Sequence, residues 1–85
     1  MKDTQLPETL TYSPPIKRSV LIAGHQTSVS LEPLFWRALE VAAADMSLPV
    51  NAVVALVDEE RLKVAEPPNL TSALRQWLFG RALGD

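Results

Sequence analysis

One short stretch of strict alternation limits what this chain can fold into. In residues 26–31, the polar residues Gln26, Ser28 and Ser30 alternate with Thr27, Val29 and Leu31. A period of two is typical of a β-strand with one covered face and one polar face. Because a single strand is not stable in water, this one needs a second strand beside it and helices over its apolar face.

A second strand is predicted immediately before the first. The run Val20-Leu21-Ile22-Ala23 lies within residues 16–23 and is apolar and partly β-branched, which favours a strand. Gly24-His25 then separates the two runs and suits a two-residue hairpin loop of type II′. One long strand with a glycine bulge is the alternative; we favour the hairpin.

Two helices are predicted after the strands. Phe35, Ala38, Leu39 and Ala42 recur with helical spacing after Pro33, a residue that a first helical turn accepts, so the first helix should end near Met46. Ser47 can cap the second helix and Pro49 suits its start. That helix is predicted from Asn51 to about Val64.

Pro67-Pro68 ends the second helix, and Asn69 or Thr71 can cap a third. The apolar residues of this third helix share one stripe, namely Leu70, Ala73, Leu74, Trp77 and Leu78. The chain is therefore predicted to be mainly α with a short β-ribbon.

Composition limits the chain to one small domain. It has 85 residues and no cysteine, and 47% of its residues are hydrophobic, a large fraction for a small monomer to bury, so we expect a homodimer. Residues 1–15 are polar with Pro14-Pro15 and are predicted to be a flexible N-terminal arm; residues 16–85 form the domain. No apolar run reaches membrane-spanning length and no secretory signal is evident, which predicts a cytoplasmic protein without a membrane partner.

The residue types needed for catalysis are missing or isolated. His25 is the only histidine, so a transition-metal site would depend on carboxylates alone. Ser28 and Ser30 have no base that an acid orients, and Gly24 does not belong to a glycine-rich phosphate loop. We therefore predict no catalytic residue, no metal, no cofactor and no enzyme. Trp36 and Trp77 are expected in packing rather than stacked on bases.

The polar strand face is suited to double-stranded DNA. Side chains of Gln26, Ser28 and Ser30 can hydrogen-bond base edges in the major groove, which admits a two-stranded ribbon. Positive charge lies near by in the sequence, at Lys17, Arg18 and His25. The formal net charge of -2 opposes this interpretation, because non-specific DNA binders are usually basic.

Residues 26–62 resemble the ribbon-helix-helix superfamily, the Arc/MetJ-like bacterial repressors. The resemblance lies in the order of elements: a short alternating strand, a helix, a tight turn at Pro49-Val50-Asn51 and a second helix. Residues 18–32, together with Phe35-Trp36 and residues 69–75, are similar to a subgroup of short bacterial ribbon-helix-helix domain proteins.

The resemblance implies a ribbon-helix-helix homodimer in which one strand from each chain pairs antiparallel, with an extra N-terminal strand and an extra C-terminal helix here. It places base contacts at Gln26, Ser28 and Ser30, and phosphate contacts at the second helix start, Val50 and Asn51; Lys17, Arg18 and His25 would add phosphate contacts. The implied dimer core consists of Val29, Leu31, Phe35, Trp36, Leu39 and Val54.

Two departures from the pattern concern the DNA contacts. Pro49 occupies a position where a hydroxyl cap is common, and the groove-facing positions contain no Arg or Lys for a bidentate guanine contact. The predicted function is a dimeric, sequence-specific DNA-binding protein that regulates transcription. The alternative is a dimeric protein-interaction module of the same fold that does not bind DNA.

Overall fold

The computed structural model describes residues 12–84, and most of the predicted N-terminal arm lies outside the described residues. Two strands, β1 (Ile16–Ile22) and β2 (His25–Leu31), form an antiparallel hairpin. Three helices follow, α1 (Pro33–Asp45), α2 (Val50–Arg61) and α3 (Leu70–Ala82). The predicted order of two strands and three helices is confirmed.

The hairpin loop lies one residue earlier than predicted. Ile22 pairs with His25, so the loop consists of Ala23 and Gly24, and both have positive φ, 50° and 82°. Positive φ at both central residues is the pattern of a type I′ turn, whose twist matches that of the flanking strands. The predicted type II′ turn at Gly24-His25 is wrong, because His25 already belongs to β2.

The hairpin has one face against the helices and one face away from them. Ile22, Val20 and Arg18 lie opposite His25, Thr27 and Val29, and residues opposite each other in a pair share a face. Val20, Ile22, Val29 and Leu31 are buried, so theirs is the inner face. The predicted covered face of β2 is therefore covered by the helices of its own chain.

The connection between α1 and α2 differs from the prediction at Ser47. Helix α1 has Pro33 in its first turn and ends at Asp45, as expected. Ser47 then adopts φ 57°, while the amides of Ser47 and Leu48 donate to the carbonyls of Ala44 and Ala43. These two bonds form a Schellman motif that closes α1. Ser47 therefore ends α1 instead of capping α2, whose N-cap is Pro49.

Helix α2 is shorter than predicted, and α3 begins where it was expected. Arg61, the last residue of α2, donates from Nε to Asp58 at 2.7 Å and from Nη1 to the carbonyl of Pro68 at 3.0 Å, which holds the α2–α3 connection against α2. Asn69 caps α3 by accepting a hydrogen bond from the amide of Ser72 at 2.8 Å.

The hydrophobic core is covered within one chain, while eleven large hydrophobic side chains among residues 12–84 are exposed outside it. The six residues predicted for the dimer core lie within it: Val29, Leu31, Trp36, Leu39 and Val54 are 0–2% exposed and Phe35 is partly buried. Leu74 and Leu78 of α3 are buried beside them. These core residues therefore do not need a second copy to cover them.

No single helix in residues 12–84 is long and apolar enough to cross a membrane. Helices α1 and α2 reach the required length and composition only when they are taken together, and the two are bent by 98° at the break between them.

Candidate nucleic-acid interface

The outer face of the hairpin brings together four of the residues predicted to bind DNA. Gln26, Ser28 and Ser30 of β2 share this face with Lys17, which lies directly opposite Ser30. Gln26, Ser28 and Lys17 are exposed and Ser30 is half-buried. Ser19 and Leu21 of β1 complete the outer face, opposite Ser28 and Gln26. The face is polar and carries one positive charge, and its apolar member Leu21 is 44% exposed.

Ser19 is a member of this face that sequence reasoning missed. Its hydroxyl donates to Oε1 of Gln26 at 2.5 Å. The two residues are diagonal neighbours across the strands, a spacing that side chains as long as glutamine can reach. Alternation within β1 could have identified Ser19, because Val20 and Ile22 predict the inner face and so place Ser19 and Leu21 on the outer one.

Arg18, predicted to contact phosphate, lies on the inner side of the hairpin. Its guanidinium carbon is 4.5 Å from the centroid of the Trp36 ring, and Nη1 is 3.1 Å from a carboxylate oxygen of Glu40. Both contacts are with α1. Since consecutive strand residues point to opposite faces, Lys17 and Arg18 cannot both lie on the outer face. The structure places Lys17 there and gives Arg18 partners on the helix side.

Trp36 fixes the position of β1 relative to α1. Its indole Nε1 donates to the carbonyl of Ile16 at 2.8 Å, and its side chain is 1% exposed. A buried indole N–H requires an acceptor, and the first carbonyl of β1 supplies it. Through this bond and the Arg18 contact, α1 holds the strand that carries Lys17 and Ser19.

An ion pair holds the end of β2 against α3. Arg75 forms a bidentate pair with the carboxylate of Glu32, with Nη2 2.9 Å and 3.0 Å from its two oxygens. The guanidinium carbon also lies 5.7 Å from the Phe35 ring centroid. The pKa of Glu32 is lowered, first by a hydrogen bond from its own backbone amide and then by the bond from Arg75. The carboxylate is therefore stabilised in its charged form, in which it can bind Arg75.

The remaining predicted phosphate contacts lie apart from the outer face. His25 is exposed at the turn end of β2, opposite Ile22. Val50 and Asn51 form the first turn of α2, where the first backbone bonds to the Pro49 carbonyl come from the amides of Ala52 and Val53. The amides of Val50 and Asn51 therefore have no acceptor within the helix, as is usual at a helix start, and such amides can bind a phosphate.

A family model described as a ribbon-helix-helix domain matches residues 15–82, from the residue before β1 to the end of α3. The chain belongs to the ribbon-helix-helix family. The matched range includes both strands of the hairpin as well as α3, so β1 and α3 are parts of the family domain in this chain. No curated protein and no solved structure matches the chain.

Ribbon-helix-helix domains are regulatory DNA-binding folds and not an enzyme family. Within this domain, the order β2, α1, α2 is the strand, helix and helix that the sequence predicted, with β1 before it and α3 after it. Among residues 12–84, no three His, Cys, Asp or Glu side chains are grouped so that they could hold a metal ion.

Proposed function

We propose that this ribbon-helix-helix protein is a homodimeric, sequence-specific DNA-binding regulator of transcription that reads the major groove with the outer face of its hairpin. One observation carries the proposal: Gln26, Ser28, Ser30 and Lys17 share an accessible face. The apolar side chains of the opposite face are buried in the chain's own core. On the outer face, Gln26, Ser28 and Ser30 offer hydrogen bonds to bases, and Lys17 offers a positive charge to a phosphate.

Dimerisation would use the edge of β2 that β1 leaves open. Among residues 12–84 the sheet has only two strands. In an antiparallel hairpin, pairs of opposing residues that exchange backbone hydrogen bonds alternate with pairs that do not. Counting from the two-residue turn, the first pair, Ile22–His25, is a hydrogen-bonded one. By this alternation the backbone amides and carbonyls of Gln26, Ser28 and Ser30 point away from β1. They can pair with β2 of a second copy, about a twofold axis at Ser28.

In the resulting four-stranded sheet, the central pair of β2 strands corresponds to the two-stranded ribbon that the major groove admits. At about 4.8 Å between strands, its outer strands are roughly 14 Å apart, slightly more than the groove width of about 12 Å. The two copies of β2 would then lie over the base edges and the two copies of β1 near the phosphates. This division assigns base contacts to Gln26, Ser28 and Ser30 and a phosphate contact to Lys17.

Two kinds of group would add phosphate contacts beyond Lys17. The amides of Val50 and Asn51 would bind a phosphate at the start of α2, as helix starts do. Arg18 lies on the inner side of the hairpin and His25 at its turn end, so both would have to reach around the sheet, and Arg18 would first have to leave Glu40. We therefore assign Lys17 the larger share of the charge-dependent affinity. The protein would act in the cytoplasm of a bacterium.

The salt dependence of DNA binding tests this proposal. Affinity for duplex DNA from the region upstream of the protein's own gene should fall steeply between about 50 and 200 mM salt, because binding releases counterions. Lys17→Ala should weaken binding and lower the salt slope by about one per lysine removed. Fluorescence anisotropy with labelled duplexes measures both quantities.

A second lysine provides a matched control. Lys63 follows α2 in the chain, outside the hairpin, and is paired with Glu60 at 2.8 Å. Lys63→Ala removes the same charge and should leave both affinity and salt slope nearly unchanged. Equal losses for the two variants would mean that net charge, rather than the outer face, determines the affinity. No binding at low salt by the unchanged protein would refute DNA binding itself.

A protein-interaction module of the same fold is the second candidate. The formal net charge of -2 favours it, because an acidic chain is repelled by the DNA phosphates, and Leu21, 44% exposed on the outer face, would be one of its contact residues. This candidate predicts a stable complex with a protein partner that Leu21→Ser weakens, together with no affinity for the upstream DNA. Pull-down and anisotropy on the same preparations separate the two functions.

A further inference from the structure

We infer that α3 is a dimerisation helix, whose exposed side packs against α3 of the second copy beneath the paired β2 strands. This inference rests on the proposed function, because it names the surface that completes the homodimer. The proposed DNA-reading surface consists of two copies of β2, so it is incomplete without the second chain.

The open edge of β2 is by itself a small contact. The strand has seven residues, whereas a stable protein–protein interface takes about 20–30 residues from each side. The dimer therefore needs further apolar surface close to this edge. Of the two later helices, α2 packs mainly against β1 and α3 packs against β2, and the pair of Arg75 with Glu32 holds α3 to the end of β2. Helix α3 therefore lies against the strand that contains the proposed twofold axis.

The exposed side of α3 has the spacing of a helix-packing seam. Four residues follow one another at intervals of four, three and four positions and form what we call the outer seam: Ser72, Gln76, Phe79 and Leu83. These intervals are those of residues that face a partner helix in a coiled coil. Phe79 and Leu83 are 62% and 65% exposed in the single chain, so a partner helix would remove a large apolar area from water.

The outer seam is suited to meeting its own copy because it carries no charge. In a twofold interface both copies present the same surface, so a charged side chain near the axis would face a like charge. Other apolar surfaces of residues 12–84 differ in this respect. Leu62 lies between Arg61 and Lys63, and the groove between α1 and α3 contains Arg37 and Arg81. A second copy is therefore the partner that the outer seam fits.

Sedimentation of Phe79→Ser tests the inference. Each dimer would lose two buried phenyl rings, so its dissociation constant should rise by at least about tenfold. The circular dichroism spectrum should stay that of the unchanged protein, because Phe79 is exposed in the single chain.

Leu62→Ser is the matched control. Leu62 is 56% exposed and follows α2, the helix that packs against β1. Its replacement should leave the dissociation constant of the dimer unchanged. An unchanged constant in Phe79→Ser, or an equal rise in both variants, would overturn the inference.

Opposite charges at residue 79 test whether the outer seam faces its own copy. In an antiparallel pair of seams the central positions, Gln76 and Phe79, lie nearest the axis. Phe79→Glu and Phe79→Arg should therefore each sediment as monomers, because like charges would meet, whereas a mixture of the two variants should form dimers. A mixture that stays monomeric would overturn the inference, as would a dimer of either variant alone with the dissociation constant of the unchanged protein.

The failure of the two proposals can be distinguished. If the unchanged protein is a monomer, the homodimer fails and the role of α3 fails with it. If Ser28→Pro dissociates the dimer and Phe79→Ser does not, only the inference fails. If the unchanged protein is a dimer that binds no DNA, DNA reading fails and the sedimentation results still decide the role of α3.

The concentration dependence of DNA binding gives a second measurement. Phe79→Ser should bind the upstream duplex weakly at low protein concentration and regain the affinity of the unchanged protein where the dimer forms again. Lys17→Ala should remain weaker at both concentrations, because its dimer is intact. A loss of affinity in Phe79→Ser that persists at high protein concentration would also overturn the inference.

Discussion

At the scale of single residues, Ala23 is the least favourable choice in the hairpin. It adopts φ 50° at the first position of the turn, a conformation that costs a residue with a Cβ about 1 kcal/mol or more. Asparagine tolerates this region, and Asn-Gly is the preferred pair for a type I′ turn. Ala23→Asn should therefore raise the free energy of unfolding by about 0.5–1 kcal/mol, measured by urea denaturation.

The same substitution at another alanine should have the opposite sign. Ala44 is exposed in α1, where asparagine is a poorer helix former, so Ala44→Asn should lower the free energy of unfolding by about 0.5 kcal/mol. A loss of stability in both variants would contradict the assignment of a type I′ turn to Ala23 and Gly24.

At the scale of elements, β2 should tolerate a charge on one face only. Val29 is 2% exposed, so Val29→Asp buries an unpaired carboxylate and should cost about 3–5 kcal/mol, enough to unfold a domain of this size. Ser28→Asp, at the next residue on the outer face, should remain folded. Circular dichroism distinguishes the outcomes, and an unfolded Ser28→Asp would contradict the two-faced hairpin.

The junction of β2, α1 and α3 should depend on pH through Glu32. Because its pKa is lowered in the folded chain, its contribution to stability is complete above the ordinary glutamate pKa of the unfolded chain and is lost as the pH falls through the lowered value. Glu32→Gln should therefore reduce stability at neutral pH and flatten the loss on acidification. Thermal unfolding at several pH values measures this effect.

Another glutamate is the control for the pH effect. Glu59 is exposed in α2 and has no ion pair with another residue of the described range. Glu59→Gln should leave the pH profile close to that of the unchanged protein. The same flattening in both variants would mean that Glu32 has no special role in acid unfolding.

The elements could be predicted from the sequence because each carries a repeating pattern. Alternation in β2 and helical spacing in α1 persist along the whole element, and the common face of Gln26, Ser28 and Ser30 follows from alternation alone. Single positions could not be predicted in this way. The turn at Ala23 and the role of Ser47 depend on backbone angles that each residue adopts against its own preference, so neither appears in the pattern.

At the candidate nucleic-acid interface, likewise, the shared face of β2 could be predicted from the sequence, whereas the contacts of single side chains could not. Charge alone groups Lys17 with Arg18, but strand geometry separates them, and the Trp36 ring and Glu40 keep Arg18 on the inner side. The bond from Ser19 to Gln26 depends on the register between two strands, which the loop position determines. Since the loop was predicted one residue too late, the opposing residues could not be assigned correctly.

At the scale of the whole molecule, the proposed dimer depends on the open backbone edge of β2, because the residues predicted for the dimer core are already covered within one chain. The amide of Ser28 points to this edge and the amide of Ser19 to the opposite edge of β1, because the two residues form a non-bonded pair. Proline removes an amide hydrogen and is tolerated on sheet edges. Ser28→Pro should therefore block pairing with a second copy, while Ser19→Pro should not.

Sedimentation of the two proline variants measures this difference directly. The unchanged protein and Ser19→Pro should sediment as dimers, and Ser28→Pro should sediment as a folded monomer with the same circular dichroism spectrum. A folded monomer is expected because the residues predicted for the dimer core are buried within one chain. A dimer of Ser28→Pro would place the contact between copies elsewhere, and the four-stranded sheet could then not be the surface that reads DNA.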